Sequence, residues 1–165
     1  MTIGLERVPE IEEQHETAYP VRALLWNCRS RALDSLAEWK RKQHQEYSRV
    51  MASLHYVAGT EQPWVNRERV RPNGVKEPAH AKGDAQDFVI YELKAPKTHA
   101  RILFFLAPGP PKTIVLLCEF WKKRKGDPEQ RRAFIRAQTL RNHAFAEVNA
   151  LLRQNWPAQG RRERE

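Results

Sequence analysis

Four consecutive cations, Lys122-Lys123-Arg124-Lys125, follow an apolar run ending at Phe120-Trp121 and lead into Asp127-Pro128. Such a run attracts phosphate oxygens, and like-charge crowding lowers the pKa of a lysine within it, so Lys122 or Lys123 is a candidate proton acceptor or donor. Arg101 opens a second apolar run, and its planar fork of donors suits it to clamp a phosphate. Lys94 closes a third run and adds to the basic set. Tyr91 and His99 are secondary proton-transfer candidates, and Trp121 offers a flat face on which a splayed base can stack. Plainer readings stand beside these. A cation run also describes a solvated strand end with nonspecific phosphate contacts, and Arg101 also suits the surface end of a strand.

The elements that must position these residues follow from hydrophobic pattern. Phe88–Leu93, Arg101–Leu106 and Thr113–Cys118 read as three strands joined by Pro- and Gly-containing turns, and successive strands of this kind pair as an antiparallel meander. That topology collects Glu92, Lys94, Arg101, Glu119 and the Lys122–Lys125 run at one end of the sheet. A slip of one residue would exchange the faces, so the convergence is firmer than which side chains share a face. Val21–Trp26 reads as a first strand, and Ser30–Val57, free of Gly and Pro, as one long helix or a helical hairpin. Asp127-Pro128-Glu129-Gln130 has the form of a helix N-cap, with Pro at the first helical position. The last helix is expected to run to about Gln154, before Pro157. The fold class is therefore α+β in one domain spanning 20–156, with a long connection at 60–87. A flexible acidic extension is expected at 1–19, and a disordered tail at 157–165.

The 165 residues carry 29 Lys+Arg against 20 Asp+Glu, which favours an anionic partner such as nucleic acid. The charge is uneven. Nine Lys or Arg stand between Lys112 and Arg141 against Glu119, Asp127 and Glu129, whereas the first twenty residues are acidic. The Glu-rich stretch 6–16 is a candidate cover for the cation cluster in cis. Cys28 and Cys118 lie far apart without ligand spacing, and the six histidines show none either, so no disulfide, metal or other cofactor is expected. Cys118 continues an apolar strand and reads as a packing residue. The acidic start lacks the form of a signal peptide, and no apolar run approaches a membrane span of roughly 18 residues. A cytoplasmic protein is the expectation.

Tyr91-Glu92-Leu93, then Arg101-Ile102-Leu103-Phe104, then Phe120 with Lys122-Lys123 and Pro128 occur in an order that resembles the RelE/ParE toxin superfamily. The likeness is to the phage-derived HigB-like branch of type II toxin–antitoxin systems and covers about Val21 to Leu140. The chain departs from that pattern at Lys94, at Cys118-Glu119 and at Gly126. The resemblance implies a small RelE-like domain acting as a metal-independent, ribosome-associated mRNA endonuclease held in check by an antitoxin protein. Such cleavage needs a group to take the 2′-OH proton, cations to hold charge on the phosphate and an acid for the leaving oxygen. Arg101, Lys122, Lys123 and Tyr91 are the catalytic candidates, and Lys94, Trp121, Arg124 and Lys125 the RNA-binding ones. Two alternatives stay open: a nonenzymatic nucleic-acid- or ribosome-binding protein on the same fold, and a topoisomerase inhibitor.

Overall fold

A computed structural model describes residues 2–11, 18–61, 69–73 and 89–164. Its elements, in chain order, are β1 (Ile3–Arg7), β2 (Val21–Trp26), α1 (Arg31–Lys42), α2 (His44–Gly59), β3 (Val70–Asn73), β4 (Ile90–Leu93), β5 (Ala100–Ala107), β6 (Thr113–Trp121) and α3 (Pro128–Arg164). The architecture is α+β, with one six-stranded sheet in the order β1-β2-β6-β5-β4-β3. β4, β5 and β6 form the expected antiparallel meander, and β2 joins β6 in parallel. Phe88, placed by its sequence at the start of β4, lies outside the described residues.

β5 and β6 are apolar almost throughout because they are central and covered on both faces. Val21, Ala23, Ile102, Phe104, Ile114 and Leu116 meet α1 and α2 on one face. On the other, Leu24, Leu103, Phe105, Val115 and Leu117 meet Ala133, Ala137, Ala144 and Val148 of α3. The helical stretch divides into two helices at Gln43, whose φ of −134° leaves the helical region. The break falls in the polar middle, where no apolar residue holds the turn against the sheet. Ser30 caps α1, its Oγ accepting from Leu33 N at 3.2 Å.

Four expectations need correction. The N-terminal segment is not wholly a flexible extension: Ile3–Arg7 pairs antiparallel with β2, from Ile3 opposite Trp26 to Arg7 opposite Arg22. Ile3, Val8 and Ile11 are buried, an apolar set hidden among the acids, and that burial stabilises the added edge strand. The connection at 60–87 contains β3, which pairs with β4, and Pro72 is tolerated there because β3 is the sheet edge. The last helix continues through Pro157 to Arg164, where a disordered tail is expected. Pro157 forfeits one backbone hydrogen bond, but the Ala, Gln, Arg and Glu that follow are good helix formers. The proposed cis cover is also displaced at its one described acid beyond β1: Glu10 binds Lys40 Nζ at 2.5 Å and accepts from the Tyr47 hydroxyl, on the α1/α2 side. Residues 12–17 of that segment lie outside the described residues.

Candidate nucleic-acid interface

The register of β5 and β6 decides which side chains meet. Ala100 lies opposite Trp121 and Arg101 opposite Phe120, and the pairing continues where Lys122 N donates to His99 O at 2.8 Å. Leu103 pairs with Cys118 but Phe104 with Leu116, so Leu117 is a bulge residue and both Leu117 and Cys118 pack under α3. Beyond the bulge the alternation is reversed. Phe120 therefore shares the α3 face with Arg101, while Trp121 turns to the α1/α2 face. There it tilts against Trp39 at 6.5 Å and stacks on His99 at 5.5 Å between ring centroids. The face offered for base stacking already has a partner.

Arg101 is half-buried and its Nη1 is anchored. It donates to Thr98 O at 2.7 Å, Thr98 Oγ1 at 3.2 Å and Ala100 O at 3.0 Å. Nη2 makes no hydrogen bond to a described residue, and Nε is buried without a partner. Burial pushes its pKa down, opposed by Glu92 and Glu46, and a guanidinium remains charged in water nonetheless. Glu92 lies on the same face, opposite Leu103, and is fully buried. Its Oε1 accepts from Gln130 Nε2 at 2.9 Å, and its Oε2 has no protein partner. Its sequence position leaves the facing of Glu92 open; the missing signal was Gln130, which looks like a capping residue yet reaches back to β4.

The cation run turns on Asp127. Its Oδ1 accepts from Glu129 N, which caps α3, and its Oδ2 accepts from Lys123 N, each at 3.0 Å. Those two N–H groups hold the Asp127 carboxyl below the usual carboxylate range. Gly126 has φ +71°, a left-handed turn where a side chain would be strained. The turn leaves Lys123, Arg124 and Lys125 exposed. Lys123, Arg124 and Arg132, with Asp127 and Glu129, line an open cleft of about 410 Å³ at the start of α3, where Arg132 pairs with Glu129 at 2.5 Å. Arg132 belongs to the helix and was not singled out by its sequence position.

The other sequence candidates are elsewhere. Tyr91 projects to the α1/α2 face, stacked on Phe104 at 5.3 Å, and burial raises its pKa. The sheet separates its ring from Arg101. Lys94 follows β4 and donates its backbone N–H to Arg69 O at 2.9 Å. Arg101 and Glu92 thus share the α3 face at the end of β5 and β4, while Lys123, Arg124 and Arg132 line the separate cleft of the turn that follows β6. Comparison with protein-family models, curated proteins and solved structures found no match. Among the described residues there is no cluster of three metal-ligating side chains, and no helix is long and apolar enough to cross a membrane.

Two supporting contacts carry predictions. Glu46, in the first turn of α2, accepts from His99 N at 3.2 and 2.9 Å and from Ala100 N at 3.1 Å, tying α2 to the residues beside Thr98. Glu46→Ala is expected to lower the unfolding free energy by about 2 kcal/mol, read by urea denaturation. An unchanged midpoint would show that water replaces the carboxylate without cost. Cys118 is buried and its thiol is pushed up to about 12, chiefly by burial and then by Glu119. An aromatic disulfide reagent at pH 8 is expected to label one thiol, the exposed Cys28, in the native chain and two in denaturant.

Proposed function

We propose that the chain is a toxin of RelE/ParE type, nearest the HigB-like branch, that cuts ribosome-bound mRNA without a metal and is neutralised by an antitoxin protein. The observation that carries this reading is the register that puts Arg101 opposite Phe120, at the same end of the β5/β6 pair from which the Lys122–Lys125 run leaves. Order along the chain supports it as well from β2 onward, with two helices, the β4-β5-β6 meander and a final helix, to which this chain adds the edge strands β1 and β3. In this reading Arg101 Nη2 and one of Lys122 and Lys123 hold the scissile phosphate, and the other lysine passes the 2′-OH proton to the leaving 5′ oxygen as the 2′-oxygen displaces it from phosphorus. Lys123, Arg124 and Arg132 hold the neighbouring phosphates. Anchoring of Nη1 holds the guanidinium in a fixed place, so little reorganisation accompanies charge development.

A second reading, a nucleic-acid- or ribosome-binding protein without catalysis, is favoured by a specific observation. Tyr91 stands across the sheet from Arg101, which leaves no aromatic hydroxyl beside the phosphate site. Purified protein incubated with ribosomes stalled on a labelled mRNA separates the two. The nuclease reading predicts new 3′ and 5′ ends within the ribosome-bound stretch. The binding reading predicts salt-sensitive retention of RNA and no products.

A further inference from the structure

A cleft of about 330 Å³, distinct from the cation turn, is walled by Leu24, Trp26, Leu117 and Leu140, with Arg29 and Asp34 among its polar residues. This volume is at the lower end of small-ligand sites. Among the described strands β2 and β6 are the one parallel pair, and the cleft opens beyond the carboxyl end of β2. The walls are fixed by a tight turn. Asn27 and Cys28 both adopt left-handed backbone, at φ 51° and 67°, and Trp26 N donates to Arg29 O at 2.7 Å. Asn27 is tied to Thr2 in both directions, its N–H donating at 2.8 Å and its Oδ1 accepting at 3.0 Å.

The polar groups are unevenly engaged. Arg31, which also borders the cleft, is held by Glu119 at 3.0 Å. The Arg29 guanidinium and the Asp34 carboxylate form no hydrogen bond or ion pair with a described side chain, nor with each other. The cleft thus presents the Trp26 indole, which meets His143 edge-on at 5.8 Å between ring centroids, beside the exposed Asp34 carboxylate and Arg29 guanidinium. A nucleotide matches this set: a base against Trp26 and the leucines, and a phosphate at Arg29 and Arg31. The acceptor narrows the base. A carboxylate only accepts, and guanine alone among the four bases offers two adjacent donors, N1–H and the exocyclic amino group, on its Watson–Crick edge.

We infer that this cleft binds one guanine nucleotide of a single-stranded RNA, with Asp34 reading the base. The inference rests on the RNA reading above, but names a site that reading does not use. Glu119, which holds Arg31, stands on β6 three residues before Lys122. A free amino acid, with an ammonium for Asp34 and a carboxylate for Arg29, is the competing occupant.

Calorimetric titration of the full chain with GMP, AMP, UMP, orthophosphate and leucine tests it. GMP is expected to bind about tenfold more tightly than AMP or UMP, and Asp34→Asn to remove that preference while retaining nucleotide binding. Arg29→Ala is expected to weaken all nucleotides alike. Should Asp34→Asn fail to fold, amide and indole shifts of the wild-type chain serve instead: GMP is expected to move the Trp26 indole N–H and the Asp34 amide. Equal binding of GMP and AMP, displacement of GMP by leucine, or shifts confined to residues 122–132 would overturn the inference. Guanine selectivity without RNA cleavage would keep this cleft and remove the nuclease; cleavage without guanine selectivity would do the reverse.

Discussion

Arg101→Ala is expected to reduce cleavage of ribosome-bound mRNA by about 100-fold or more, the loss typical when one preorganised donor to a developing oxyanion is removed. The side chain has two faces of action. Nη1 joins Thr98 and Ala100, and Nη2 is left for a ligand. Its charge also lies near the buried Glu92 carboxylate, which supports the guanidinium electrostatically. Truncation therefore removes both the phosphate clamp and the positive charge that lies near the buried Glu92 carboxylate. Arg101→Lys separates these effects. A lysine restores the charge beside Glu92 but not the fork, so thermal stability is expected to recover more than cleavage. Equal cleavage by Arg101→Ala and wild type would refute the assignment of Arg101.

Phe104→Ala is expected to destabilise the domain by about 3–5 kcal/mol and lower its melting temperature by about 10 °C. Phe104 is 1% exposed and lies in the central strand, under α1 and α2, with Tyr91 stacked on it. Removing the ring opens a cavity that the flanking strands cannot close. The same ring supports Tyr91, so its loss frees the tyrosine without altering the opposite face. If Tyr91 has no part in cleavage, residual activity of Phe104→Ala below its melting temperature should match wild type. A loss of activity exceeding the loss of folded protein would return Tyr91 to the site.

Much of the sheet was legible because β5 and β6 are buried on both faces, and such strands announce themselves as unbroken apolar runs. Asp127-Pro128 was legible for a local reason, since a cap is recognised by residue type at fixed offsets. Facing was not. The bulge at Leu117 reverses the alternation of β6, and nothing in an apolar run tells one Leu from the next. That reversal sends Trp121 to His99 and Trp39 and keeps Phe120 with Arg101. β1 was hidden because its apolar residues are few and its acids many, although Ile3, Val8 and Ile11 suffice once β2 is there to pair with it. Glu46 and Glu92 act across sequence separations of 53 and 38 residues, on His99 and Gln130 respectively, which no local pattern reveals.

The central claim is that Arg101 and the Lys122/Lys123 pair form one phosphodiester-cleaving site. Induced expression of wild type and of the Arg101→Ala, Lys122→Ala, Lys123→Ala triple variant in a bacterial host, with growth followed and mRNA 5′ ends mapped, tests it most directly. Growth arrest with new 5′ ends inside coding regions is expected for wild type, and neither for a triple variant that accumulates in folded form. Normal growth with no new ends from well-expressed, folded wild type would contradict it, and the cations at the end of β6 would then be a docking surface.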